Sequence, residues 1–75
     1  MTPEQAFGAT LKELRADSGI SQGALALEAD LDRTYISLLE RGLRQPSLKT
    51  IIVLARFLGV TPGEMVDATM EKITI

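Results

Sequence analysis

Residues 31–42 read LDRTYISLLERG, and the fold turns on how that stretch is taken. Ile36 and Leu39 form an apolar ladder, interrupted by Arg33, Thr34, Ser37 and Arg41. Either this is an ordinary amphipathic core helix whose polar side faces water, or its polar side reads something. Asp32 has the side chain of an N-cap and Gly42 is a stop signal, so a helix is predicted between them. At about 100° per residue, with Leu31 at zero, Leu39 and Ile36 fall near 80° and 140°. Arg33, Thr34, Ser37 and Arg41 fall on the opposite side, at roughly 200° to 300°. Tyr35 sits at the core edge, with a polar tip that could reach outward. Glu40, near 180° by the same count, is the odd member of a basic face and needs a partner.

Outward from this helix, the punctuation is dense. Thr2-Pro3-Glu4-Gln5 combines a capping threonine, a proline in the first turn and a glutamine placed to close a capping box. Phe7, Leu11 and Leu14 follow at helical spacing, and Ser18-Gly19 ends that first helix. Ser21 caps a second helix with Leu25, Ala26 and Ala29 on one face, and Asp30-Leu31 breaks it. After a loop from Leu43 to Pro46, Ser47 caps a fourth helix with Ile51, Leu54, Ala55 and Leu58 inward, ended by Gly59. Thr61-Pro62-Gly63-Glu64 is a second capping box, opening a shorter fifth helix through about Met70. No alternating run rich in Val, Thr and Tyr lies between these caps. The expectation is all-α: a compact five-helix bundle in one domain spanning residues 1–75. The tail, residues 71–75, ends in Ile73-Thr74-Ile75, which alternates weakly; it either frays or pairs with a copy of itself.

The second and third helices, separated by a short break, have helix-turn-helix spacing over about residues 21–41. Ala26 is small where the two helices must cross. Leu25, Ala29, Leu31, Ile36 and Leu39 supply the shared apolar face. Asp30 occupies the turn, where a left-handed backbone is often required and Asp tolerates it. In such a motif the start of the second helix enters the DNA major groove. Arginine there can bond guanine O6 and N7 together, and threonine offers a hydroxyl and a methyl. The other reading of the same face is a solvated polar surface.

Composition narrows the function classes. The 75 residues include no cysteine and no histidine, which excludes disulfides, thiolate metal sites and the commonest general base and zinc ligand. An enzyme is a poor expectation, and no cofactor or small-molecule ligand is expected. No apolar run approaches a membrane span, and the N-terminus lacks a signal-peptide pattern, so the expected compartment is the cytoplasm. The net charge of −2 argues against nucleic acid until its distribution is considered. Arg33, Arg41, Arg44, Lys49 and Arg56 face only Glu40 within their segment, while the flanks on both sides are acidic. That asymmetry fits a defined anionic partner for the middle of the chain; a mixed soluble surface is the alternative.

The pieces LKELRADSGISQGALA, LDRTYISLLERGLRQPS and LARFLGVTPGEM together resemble the DNA-binding domain of the Cro and phage-repressor (XRE-type) helix-turn-helix family, from Leu11 to about Met65. The LDRTYIS wording also resembles the controller proteins of restriction–modification systems. The resemblance implies a lambda-repressor-like fold and a homodimer that binds double-stranded DNA at a pseudo-palindromic operator to regulate transcription. It implies base reading by Arg33, Thr34 and Ser37, with Tyr35 at the groove margin. It implies backbone contacts from Ser21, Gln22, Arg41, Arg44, Gln45 and Lys49. It further implies a partly buried ion pair between Arg15 and Glu40, and dimer contacts near helix five from Met65, Val66, Met70 and Phe57; Phe57 fits the intramolecular core equally well. Two positions depart from the family pattern. Asp30 stands where glycine is usual, and Gly23 lies in a first turn where better helix formers are commoner. The second function class is an antitoxin-like module that binds a protein partner as well as DNA.

Overall fold

In the computed structural model, which describes residues 1–73, five helices follow one another: α1 (Pro3–Ser18), α2 (Gln22–Ala29), α3 (Arg33–Glu40), α4 (Leu48–Leu58) and α5 (Pro62–Lys72). Among the described residues there is no strand. The expectations for Thr74 and Ile75 lie outside the described residues.

Local chemistry sets each boundary. Thr2 and Thr61 both close full capping boxes, with Gln5 and Glu64, at the starts of α1 and α5. Ser21, Asp32 and Ser47 cap α2, α3 and α4 by accepting from backbone N–H groups two or three residues on. The α2–α3 turn runs through Asp30 at φ 55, a left-handed conformation that Asp accepts where most side chains would be strained. The turn is locked by the Leu31 N–H donating to the Ala26 carbonyl at 2.9 Å. Helix α5 runs past Met70 to Lys72. Lys72 Nζ donates to the Ala68 carbonyl at 3.3 Å and pairs with Glu13 on α1 at 2.9 Å, which holds the last turn closed.

The core forms where the helices cross: α1 packs on α5 and α3, and α2 on α3 and α4. Leu11, Leu25, Ile36, Leu39, Leu54 and Met65 are fully buried there. Truncating such a side chain to alanine costs about 2–5 kcal/mol, so Ile36 and Leu39 anchor α3 firmly. Leu14, Leu31 and Ile51 pack against this core but are only partly covered. Met65 corrects an expectation: it is 0% exposed and belongs to the intramolecular core, so it presents nothing to a partner. Periodicity placed it on helix five without deciding which side of that helix faces α1 and α4.

One close approach has no signature in the apolar pattern. A Cβ added at Gly8 would press into the backbone carbonyls of Leu39 and Glu40, within 2.6 Å of the Glu40 oxygen. Beside it, Gly42 adopts φ +73, and a Cβ there would come within 2.9 Å of the Gln5 Cα. The C-terminal end of α3 therefore rests directly on the backbone of α1.

Candidate nucleic-acid interface

Two helix starts lie side by side. At the N-terminus of α2, Ser21 caps and Gln22 is the first helical residue. Gly23 follows, and a Cβ there would sit 3.7 Å from Arg33 Cδ, so the Arg33 side chain runs along this turn. At the N-terminus of α3, Asp32 Oδ1 accepts from the Thr34 N–H at 2.7 Å. That bond fixes the first turn, from which Arg33 and Thr34 extend, both exposed. Ser37 follows one turn on, half-buried.

Tyr35 is half-buried against the core, and the Arg44 guanidinium lies over its ring, 5.6 Å from the centroid. Arg44 belongs to the loop after α3, so this stack ties the loop to the helix. Arg41, Gln45 and Lys49 are exposed. Arg41, eight residues beyond Arg33, is about 12 Å further along the helix axis and does not share its patch. Lys49 lines a cleft with Asp30, Leu31 and Val53 between the α2–α3 turn and α4.

Behind these groups lies one buried carboxylate. Glu40 Oε2 accepts from Arg15 Nε at 2.6 Å, and Oε1 accepts from Arg15 Nη2 at 3.1 Å. Oε1 also accepts from Gln22 Nε2 at 3.0 Å. Arg15 Nη1 donates to the Ile20 carbonyl at 3.1 Å. The Glu40 side chain is only 4% exposed. Burial by itself would push the Glu40 carboxyl up. The hydrogen bonds from Arg15 and Gln22, with the charges of Arg15 and Lys12, outweigh it and hold the pKa below the ordinary carboxylate range. The hydrogen bond to Glu40 in turn raises Arg15 against the desolvation it suffers. One side chain thus joins the end of α1, the start of α2 and the end of α3.

This arrangement sharpens the charge pattern. The sole acid of the basic segment is withdrawn from the surface and neutralised by an arginine from outside that segment. Among the described residues the ion pairs are Arg15–Glu40 and Lys72–Glu13; Arg33, Arg41, Arg44, Lys49 and Arg56 pair with no acid. Exposed cations without acid partners, one of them at the adjoining starts of α2 and α3, suit an anionic polymer. No group of His, Cys, Asp and Glu among the described residues is placed to hold a metal ion, and no helix is long and apolar enough to cross a membrane.

The apolar surface is elsewhere. Val66 and Met70 are exposed on α5 and border a groove with Phe7, Pro46 and Ile51. Leu48 and Ile52, one turn apart on α4, are exposed as well and were not among the sequence candidates. Phe57 is 37% exposed. Around α4 it falls about 120° from Ile51, on the flank of Val53 that faces the α2–α3 turn.

Sequence reasoning missed the bond from Gln22 to Glu40, the Arg44–Tyr35 stack and the role of Gly8. Only the first had a usable signal: a buried carboxylate has room for more donors than one arginine supplies.

The helix-turn-helix family model matches residues 11–65. The chain is 45% identical over 64 residues to control protein C.BamHI of Bacillus amyloliquefaciens, covering 84% of this chain and 79% of that one. The restriction–modification controller protein C.AhdI from Aeromonas hydrophila superposes with a TM-score of 0.82 at 42% identity, over 87% of this chain and 98% of that one. The clp gene regulator ClgR from Corynebacterium glutamicum superposes with a TM-score of 0.93 at 26% identity, over 99% of this chain and 95% of that one.

Proposed function

This chain belongs to the helix-turn-helix family, of the XRE type, and from that premise we propose that it is a sequence-specific double-stranded DNA-binding regulator of transcription. It acts as a homodimer on a pseudo-palindromic operator, and its genetic role is that of a restriction–modification controller. It is not an enzyme. The observation that carries the reading is the exposed first turn of α3, held by the Asp32 cap, from which Arg33 and Thr34 extend with Arg33 paired to no acid among the described residues. The controller role is supported by the similarity to C.BamHI and C.AhdI.

Arg33 and Thr34 read base edges, Ser37 follows the groove, and Tyr35 borders it. Ser21, Gln22 and the free amides at the start of α2 take one phosphate, with the helix dipole favouring its charge. Arg44 and Gln45 hold the backbone beyond α3, while Arg41 and Lys49 add charge at the margins. The dimer contact is the apolar surface of Val66 and Met70, widened by Leu48 and Ile52 on α4. Phe57, exposed near the end of the same helix, is a further candidate for that contact. Its proposed site of action is the cytoplasm, a reading supported by the similarity to DNA-binding regulators.

The test is selection of bound sequences from random double-stranded DNA. A two-fold pseudo-palindrome with half-sites about one helical turn apart is expected. Recovery of unenriched sequence would overturn the proposal.

A further inference from the structure

A glutamine amide has two unlike ends: Nε2 only donates and Oε1 only accepts. A DNA phosphate oxygen only accepts. Gln22 can therefore hold a phosphate only if its Nε2 end is available, and an unconstrained amide presents either end.

The neighbour of Gln22 removes that freedom. Glu40 is ionised and only accepts, so the end of Gln22 that meets it is Nε2, at 3.0 Å. Glu40 itself cannot turn aside. Both its oxygens are held by Arg15, at 2.6 and 3.1 Å, and its side chain is 4% exposed. One Nε2 hydrogen is thereby committed. The second has no partner among the described residues, and Gln22 is only half-buried at the first residue of α2. That nitrogen belongs to the residue that opens α2, a helix start whose first backbone amides have no intrahelical partner.

We infer that Glu40 is a positioning residue for DNA-backbone binding: the buried carboxylate holds the Gln22 amide by its Nε2 end, which leaves the second N–H of that nitrogen, at the start of α2, to donate to a phosphate oxygen. The inference rests on the reading of Gln22 as a phosphate ligand. It gives the three-helix junction a function that an ion pair alone would not have. Arg15 holds Glu40, Glu40 orients Gln22, and Gln22 is ready before DNA arrives.

A double-mutant cycle on the tightest duplex from the selection tests it, comparing the native protein with Gln22→Ala, Glu40→Gln and the pair, all below their melting temperatures. Glu40→Gln keeps the shape but supplies a donor as well as an acceptor, so Gln22 can flip. Gln22→Ala is expected to weaken binding about tenfold in the native background, the size of one hydrogen bond to a charged group. In the Glu40→Gln background it is expected to cost less than about twofold, because orientation is already lost. Equal cost in both backgrounds would overturn the positioning role while leaving DNA binding intact. No cost in the native background would overturn it too, with base reading by Arg33 untouched. Failure of the native protein to select any duplex would overturn both readings. Should Glu40→Gln not fold, the native chain still decides: of the two Gln22 side-chain amide protons seen by NMR, only one is expected to gain exchange protection when the duplex binds. Protection of neither would reject the inference.

Discussion

The guanidinium of Arg44 stacks over the ring of Tyr35, 5.6 Å from its centroid, and so fastens the loop after α3 to the helix that carries Arg33. Arg44 pairs with no acid among the described residues, which leaves its charge for a phosphate. Arg44→Ala is expected to weaken binding to all sequences alike and to flatten the dependence of log affinity on log salt by about one unit. Tyr35→Leu keeps most of the buried bulk but loses the ring face. It should reduce affinity by less than Arg44→Ala, since a cation–π contact at an exposed site is worth about 0.5–1 kcal/mol. Titrations at several salt concentrations measure both. An unchanged slope for Arg44→Ala would remove Arg44 from the backbone contacts.

Arg33 should behave differently. It leaves the first turn of α3 next to Gly23, exposed and unpaired. Arg33→Ala is expected to cost about 1–3 kcal/mol on the selected duplex and to relax preference at one position of each half-site. Repeating the selection with the variant checks this. If the same site returns with the same affinity, Arg33 is not a base reader.

Much of this was legible from local chemistry. The caps at Thr2, Ser21, Asp32, Ser47 and Thr61 act within three residues, so sequence carries them fully. The left-handed turn at Asp30 follows from the break between two apolar faces. The split of α3 into a buried Ile36–Leu39 side and an exposed Arg33–Thr34 side follows from helical period. What stayed hidden depends on which neighbour a residue meets. Met65 and Val66 are adjacent in sequence and equally apolar, yet one is core and the other surface, because packing on α1 and α4 sets the rotation of α5. Phe57 fits either role by period alone. Gly8 reads as a weak point in α1 until α3 is laid across it.

The Arg15–Glu40 pair makes stability depend on acid. The folded-state pKa of Glu40 lies below its unfolded value, so near that range the unfolded chain binds more protons. The stabilisation is complete above the ordinary glutamate pKa of about 4.3 and is lost as pH falls through the lower folded value. Thermal melts of the native protein should drop as pH falls below about 4.3 partly for this reason. Arg15→Met at neutral pH is expected to cost about 3 kcal/mol, because Glu40 is left buried without its cation. In that variant burial raises the Glu40 pKa, and protonation then favours the folded state. Its acid loss should be shallower than that of the native protein. Parallel melting curves for the two proteins would reject the assignment.

Gly8 and Gly23 permit a test in which the same change has opposite signs. Both lie inside helices, where Gly→Ala gains up to about 1 kcal/mol of helix propensity. At Gly23 a methyl group meets only the Arg33 Cδ at 3.7 Å, an ordinary contact, so Gly23→Ala should stabilise by up to that amount. At Gly8 the methyl would drive into the carbonyls of Leu39 and Glu40, which belong to a helix end and cannot turn aside. Overpacking of this kind typically costs about 1–3 kcal/mol, enough to exceed the propensity gain. It also lifts the end of α3 off α1, stretching the junction that holds Glu40 to Arg15. Gly8→Ala is therefore expected to lower the melting temperature and, in the folded protein, to weaken operator binding, because α3 carries the base-reading turn. Gly23→Ala should raise the melting temperature. If Gly8→Ala instead melts as high as the native protein, α3 does not rest on the α1 backbone as tightly as the geometry requires.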